Sequence, residues 1–266
     1  MNVRWLAFLL CAVILDAIAA PQRLPATADA IADAMRGRRV VFLGEVHDNA
    51  AQHALRAEAL RKLVERGARP AFAFEQFDRG EQGAIDRARR ERPGDVDYLI
   101  AQAHGASGWN WQFYKPYLAL ALQYDLPVVA ANLSRADAMK IAMAGAAPRP
   151  EDVPQPLWQS QQQAIAQGHC NLLPDDALPG MATAQIARDR ALAAALAPYA
   201  ERGVVLLTGN EHARKDIGAP HWMKGESASI ALLEDDDDTN GFDAYVVTER
   251  ASRPDPCEEL RGKMKR

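Results

Sequence analysis

Apolar residues along the chain gather into short continuous runs set between longer amphipathic stretches. "VVFL" at 40–43, "PAFAF" at 70–74, "LPVVAA" at 126–131, "GVVLL" at 203–207 and "AYVV" at 244–247 each end in glycine or polar residues. Such runs lack the alternation of a half-wetted strand and predict strands buried on both faces. Between them lie helical patterns. Asn49 and Gln52 fit an N-cap and its N3 partner, Leu55, Ala59 and Leu63 recur at helical spacing, and Gly67 closes the segment. "WQFYKPYLALALQY", "RADAMKIAMA", a stretch around Trp158–Gln167 and the alanine-rich "MATAQIARDRALAAALAPY" read as further helices. A polar, Arg-rich region from Asp78 to Arg92 is left without an element, and "GHCNLLPDDALPG" and the run Asp235–Asp238 read as loops. Strands alternating with helices predict an α/β fold, a single domain over 21–250 with a largely parallel sheet and helices on both faces. Residues 251–266 read as a flexible C-terminal tail.

The first residues follow another pattern. Arg4, the apolar "WLAFLLCAVIL" and the small residues "AIAA" before Pro21 predict a signal peptide over 1–20, hence an exported protein, periplasmic or outer-membrane associated. Leu10 stands where a small residue would precede a lipidated cysteine, which argues against a lipid anchor at Cys11. Removing 1–20 leaves Cys170 and Cys257, which an oxidising compartment would join as a disulfide, the alternative being two free thiols. The net charge of −4 argues against nucleic acid as a partner.

The chemistry concentrates where strands stop. "FLGEVH" and "LTGNEH" each end a strand in Gly-x-x-His, Gly44 to His47 and Gly209 to His212. Glycine there supplies either a positive φ or room for close backbone approach, and the carboxyl edge of a parallel sheet is where ligand sites collect. Other strand ends supply Glu75, Asn132 and Arg135, so the pattern predicts a pocket containing Gly44, Glu45, His47, Glu75, Asn132, Arg135, Asp189, Gly209, His212 and Arg214. Asp48 and Asn49 read as turn and cap residues, and His53, His104, His169 and His221 as isolated histidines. Glu45 and Glu75 read either as site carboxylates or as partners of nearby arginines. Asp189 reads either as acceptor to a site histidine or as an ion-pair partner of Arg188 or Arg190.

The ordered set "FLGEVHD", "FEQF", "WNWQFYKPYLALA", "PVVAANLSR", "GHCNLLP", "MATAQIARDRALA" and "GNEHARKDIGAP", spanning about 38–225, resembles the ChaN-like haem-binding proteins of the Tiki superfamily. The resemblance implies a Tiki/ChaN-like fold, export, haem as bound ligand and a part in haem or iron acquisition, with an outer-membrane haem receptor as a partner. In the family's haem-binding form a homodimer holds stacked haems, with tyrosine on the iron and histidine and lysine on the propionates. In this chain the aromatic stretch Trp109–Tyr117 reads either as packing of a helix onto the sheet or as haem walls with Tyr114 as the axial candidate, with Lys115, Arg135, Arg214 and Lys215 as anion partners. The same superfamily includes Tiki-type metalloproteases and is similar to erythromycin-esterase-like proteins, where paired Gly-x-x-His motifs belong to the active site. That implies an alternative, a hydrolase of peptides or esters. In it His47 and His212 hold a divalent metal such as zinc or manganese, and Glu45 or Glu75 activates water. No HExxH and no GxSxG is present.

Overall fold

The computed structural model describes residues 20–104, 108–144 and 149–264. The leader-like segment before Ala20, Cys11 included, lies outside these residues. Seven parallel strands form one sheet: β1 (Gln22–Arg23), β2 (Val40–Glu45), β3 (Ala71–Asp78), β4 (Val128–Asn132), β5 (Val204–Gly209), β6 (Ala228–Leu233) and β7 (Ala244–Val247). Their order across the sheet is β1-β7-β6-β2-β5-β3-β4.

Alternate residues of each strand face opposite layers. Val41, Leu43, Phe72, Phe74, Val205 and Leu207 join the larger core. Helices α1 (Ala28–Met35), α2 (Ala50–Glu65), α3 (Gln82–Glu91), α4 (Val96–Gln102) and α5 (Trp111–Gln123) supply the rest of it. Val40, Phe42, Ala71, Ala73, Val204 and Leu206 pack instead against Leu192 and Leu196. Those leucines belong to the long helix α8 (Leu178–Leu196), which also contacts α6 (Arg135–Ala142) and α7 (Gln155–Gly168). Burial on both faces explains why the strands read as unbroken apolar runs.

The topology sets the site. After β2 the chain enters α2 on one face. After β5 it enters the short helix α9 (Asn210–Ala213), and Ala213 and Ala219 join the other core. Because β2 and β5 are neighbours, their connections part to opposite faces and leave a crevice above the strand ends.

Several elements depart from the sequence expectation, which marks none of β1, α1, α4 or β6. β6, "ASIALL", had been assigned no strand; its run is short and interrupted by Ser229, a buried residue whose hydroxyl donates to the Ala213 carbonyl. The Arg-rich region is helical as α3, with an apolar stripe of only Ala84, Ile85 and Ala88. Beyond Ala251, where a tail was expected, helix α10 (Pro256–Met264) forms, and Cys257 is disulfide-bonded to Cys170 with Cα atoms 5.7 Å apart. Asn49 does cap α2, accepting from the Gln52 amide at 3.1 Å. The Gln52 side chain, however, accepts from Val46 N at 2.7 Å and donates to Thr248 Oγ1 at 3.0 Å, closing the β2–α2 turn onto the end of β7.

Because the disulfide closes a loop of 87 residues, the unfolded chain loses much of its freedom. Reduction, or replacing both cysteines by serine, should lower the unfolding free energy by about 4–5 kcal/mol in urea melts.

Candidate functional site

The two Gly-x-x-His motifs stand side by side. In the β2–β5 register Gly44 pairs with Thr208 and Glu45 with Gly209. Neither glycine has a positive φ; both are required by close approach. A Cβ on Gly44 would lie 2.3 Å from Asn210 Oδ1 and 3.2 Å from the Ala213 Cβ, and one on Gly209 would lie 2.9 Å from two atoms of the His47 ring. Each motif leaves room for the other.

Around the first motif Glu45 is buried among four polar side chains. Tyr114 donates to Oε1 at 2.7 Å, His47 Nδ1 lies 3.1 Å from the same oxygen, and His53 Nδ1 lies 3.2 Å from Oε2. Arg56, also buried, pairs with Glu45 and donates to the Leu43 carbonyl at 2.8 Å. A buried arginine is tolerable here because its charge is matched at once by a carboxylate and a carbonyl. His53 spans the Tyr117 hydroxyl at 3.1 Å and the His47 carbonyl at 3.0 Å, and burial lowers its pKa to about 4. Burial likewise raises Tyr117 to about 12 and pushes Tyr114 further up still.

The second cluster surrounds Glu75. Its Oε2 accepts from Thr208 Oγ1 at 2.7 Å and from Gly209 N at 2.9 Å. Burial alone would raise its pKa, but His212, His47 and Arg188 outweigh that and hold it down to about 2. His212 lies between two carboxylates, Nδ1 at 2.6 Å from Asp189 and Nε2 at 3.6 Å from Glu75, with the Gln185 amide nitrogen 3.3 Å from both ring nitrogens. Burial opposes a charged imidazole there, yet Asp189 and Glu75 more than offset it and raise the His212 pKa. Burial raises the Asp189 carboxyl to about 6 against the pull of the same histidine. Arg188 Nε donates to Asn132 Oδ1 at 3.3 Å, and Asn132 Nδ2 donates to the Glu75 carbonyl at 2.8 Å.

His47, Glu75 and Arg188 occupy the middle of a crevice with two unlike halves. One half, about 550 Å³, runs past His212 to Arg214 and a carboxylate rim of Glu211, Glu234, Asp235 and Asp238. The other, about 540 Å³, is walled by Trp109, Phe113 and Leu133 and includes Asn132 and Arg135. The Trp109 ring meets His47 edge-on, centroids 4.8 Å apart. All the residues expected in the pocket are thus at or just beneath one edge, Gly44 and Asp189 in its floor.

The expected haem contacts fare differently. Tyr114 is 1% exposed and spends its hydroxyl on Glu45, so it is not open to a ligand as the axial candidate requires. Lys115 is paired with Asp97 at 2.6 Å, Arg214 with Asp216 and Asp238, and Lys215 with Asp243. Among the described residues no group of three or more His, Cys, Asp or Glu side chains is placed to hold a metal ion. His53 and Arg56 were missed. Both sit on the buried face of α2, and their only sequence signal was a titratable and a charged residue one turn apart, in line with the apolar Ala59, Leu60 and Leu63.

A family model described as haem-binding uptake, Tiki superfamily, ChaN matches residues 31–223. No curated protein matches the chain. Among solved structures it is similar to ChaN of Campylobacter jejuni, described with cofacial haem binding, at 21% identity over 81% of this chain and 89% of that one, TM-score 0.69. It is also similar to the type III effector HopBA1 (14% identity, 89% of this chain, 100% of that one, TM-score 0.49) and to a mutant of the erythromycin esterase EreC in its open conformation (15%, 75%, 71%, TM-score 0.44). At this identity the ChaN likeness establishes the fold, and the lower-scoring pair carries no argument.

Two outcomes test the geometry. Gly209→Ala places a methyl against the His47 ring and should cost about 1–3 kcal/mol, with a shifted His47 ring signal in NMR. His53 stays neutral in the folded chain, so its contribution to stability is whole above pH 6.5 and is lost as pH falls towards its folded value of about 4. Glu75 adds a loss between 4.5 and about 2, whereas the raised Asp189 and His212 values favour the folded state towards lower pH. Urea melts at pH 7 and 4.5 should therefore differ less in His53→Gln than in the unaltered protein, by about 2 kcal/mol.

Proposed function

The chain belongs to the haem-binding uptake family of ChaN in the Tiki superfamily, and on that premise we propose that it binds haem in the carboxyl-edge crevice. The observation that carries the reading is the family match over 31–223. The carboxyl-edge crevice has Trp109 and Phe113 in its wall and Arg135 and Arg188 among its lining residues, features suited to a flat apolar ring with carboxylates. Haem, once bound, supplies ferric or ferrous iron as cargo for acquisition. The proposal extends to export across the inner membrane, on the strength of the segment 1–20, and to a periplasmic or outer-membrane-associated place of action. A homodimer and an outer-membrane haem receptor are the partners proposed with it. Among the described residues no helix is long and apolar enough to cross a membrane.

A second reading, hydrolysis of a peptide or ester, is favoured by one observation. Glu75 is held ionised beside His212 and Asp189, a fixed base–imidazole–carboxylate line that haem carriage alone does not require. Turnover of a nitrophenyl ester or a peptide library, insensitive to added haemin and lost in Glu75→Gln, would establish it.

The haem reading is tested by titrating haemin into the protein and following absorbance. A saturable Soret band is expected. Tyr114→Phe should leave that band unchanged, because the phenol faces Glu45, while lowering stability by about 1 kcal/mol for the lost hydrogen bond. Absence of any saturable spectrum would sink the reading.

A further inference from the structure

We propose that residues 249–264 form a redox-released strap. The Cys170–Cys257 bridge holds it against the rim of the crevice, and a dithiol reductant that opens the bridge frees it and loosens the turn that carries His47. The device is the same whatever the crevice binds.

The near end of the strap touches the rim directly. Thr248, just before it, accepts from Gln52 Nε2 at 3.0 Å, and the Glu249 carbonyl accepts from Asn49 Nδ2 at 2.9 Å. Ala251 N donates to Glu234 Oε1 at 2.8 Å, and Arg253 pairs with both Glu234 and Asp48. Glu234 lines one half of the crevice and Asp48 the other, while His47 lines both. Arg253 thus joins the two halves beside His47.

The far end reaches the helical side of the same crevice. Cys170 follows α7, whose Leu157 packs with Ile186 of α8, and α8 supplies Gln185 and Arg188 to the lining. Cys257 lies four residues beyond Arg253, a reach of at most about 14 Å. The bridged Cα atoms are 5.7 Å apart, so the tie between the ends of β2 and β6 and the α7–α8 side is short.

Little besides the bridge holds the far end. Of the α10 side chains described, none is buried, and among the described residues its hydrogen bonds run within the helix or back to Asp255. A helix of nine residues is too short to persist alone. Nearer the rim, the pairs of Arg250 with Asp235 and of Arg253 with Asp48 are open to solvent and screened by salt. The covalent bond is therefore the element whose loss frees the strap.

Both cysteines are partly exposed, so a thiolate can reach the bridge. One thiolate of the reductant attacks either sulfur, forms a mixed disulfide and expels the other cysteine as thiolate. The reductant's second thiol then displaces the first cysteine. The reductant departs as a disulfide, and its two electrons and two protons remain on Cys170 and Cys257 as thiols.

The test is hydrogen–deuterium exchange of the full chain, read by mass spectrometry, before and after dithiothreitol, and in C257S and R253Q. Ellman titration checks the bridge, and the thiol count should rise by two on reduction. Dithiothreitol and C257S should each speed exchange of 249–264 by about tenfold and of 46–52 severalfold, with β2 and β5 protected over the same minutes. R253Q, its bridge intact, should speed exchange of 46–52 alone. A thiol count that does not rise overturns the proposal, as does a strap that exchanges no faster once the bridge is open. So does a freed strap with 46–52 unchanged, which would uncouple it from the rim. Exchange of β2 and β5 in step with the strap would make the bridge a staple of the whole fold, and the strap reading would fall.

Discussion

β2 and β5 lie side by side in parallel and finish in the same four-residue pattern, so the chain leaving each strand must pass the other at backbone distance. Only a residue without a Cβ permits that passage, and it is needed twice. Gly44 clears Asn210 and Ala213; Gly209 clears the His47 ring. With this mutual clearance in place His47 and His212 come to one edge, their carboxylate partners directly beneath them. A methyl group on either strand end would press on a side chain of the other motif, Asn210 from Gly44 and His47 from Gly209.

The charges then have to survive burial. Glu45, Glu75, Asp189, Arg56 and His212 are all nearly inaccessible, and each would be costly alone. They are tolerated as two charge-paired sets, Glu45 with Arg56 and two histidines, and Glu75 with His212, Asp189 and Arg188. Between them the sets fix the orientation of both motif histidines. What faces the crevice is therefore a rigid polar floor, and the unlike character of its halves comes from loops and from α6 above it.

Much of this was legible in the chain. Continuous apolar runs marked β2 to β5 and β7, and the repeated Gly-x-x-His marked the edge where the site would be. The Asp189–His212 contact lay within one of the two readings of Asp189. The order of strands was not legible, because no local pattern says that β5 inserts between β2 and β3. Arg56 and His53 were hidden for a related reason: their burial depends on a carboxylate from β2 that only the tertiary fold brings to them. Tyr114 misled because an aromatic cluster beside a lysine has the composition of a haem wall, whereas the i, i+3 placement of Tyr114 and Tyr117 turns both phenols inwards to Glu45 and His53. β6 was lost to its neighbours, a short run with a serine in it beside four aspartates.

The stretch after β7 bears on the order in which the molecule is completed. Glu249 O accepts from Asn49, Ala251 N and Arg253 reach Glu234, Arg253 also reaches Asp48, and Cys257 is bonded to Cys170. The residues that brace the flank of His47 thus arrive after every strand of the sheet has been made. During synthesis the sheet can assemble while this flank still stands open, and Asp48 and Asn49 gain these partners only when residues 249–253 are in place.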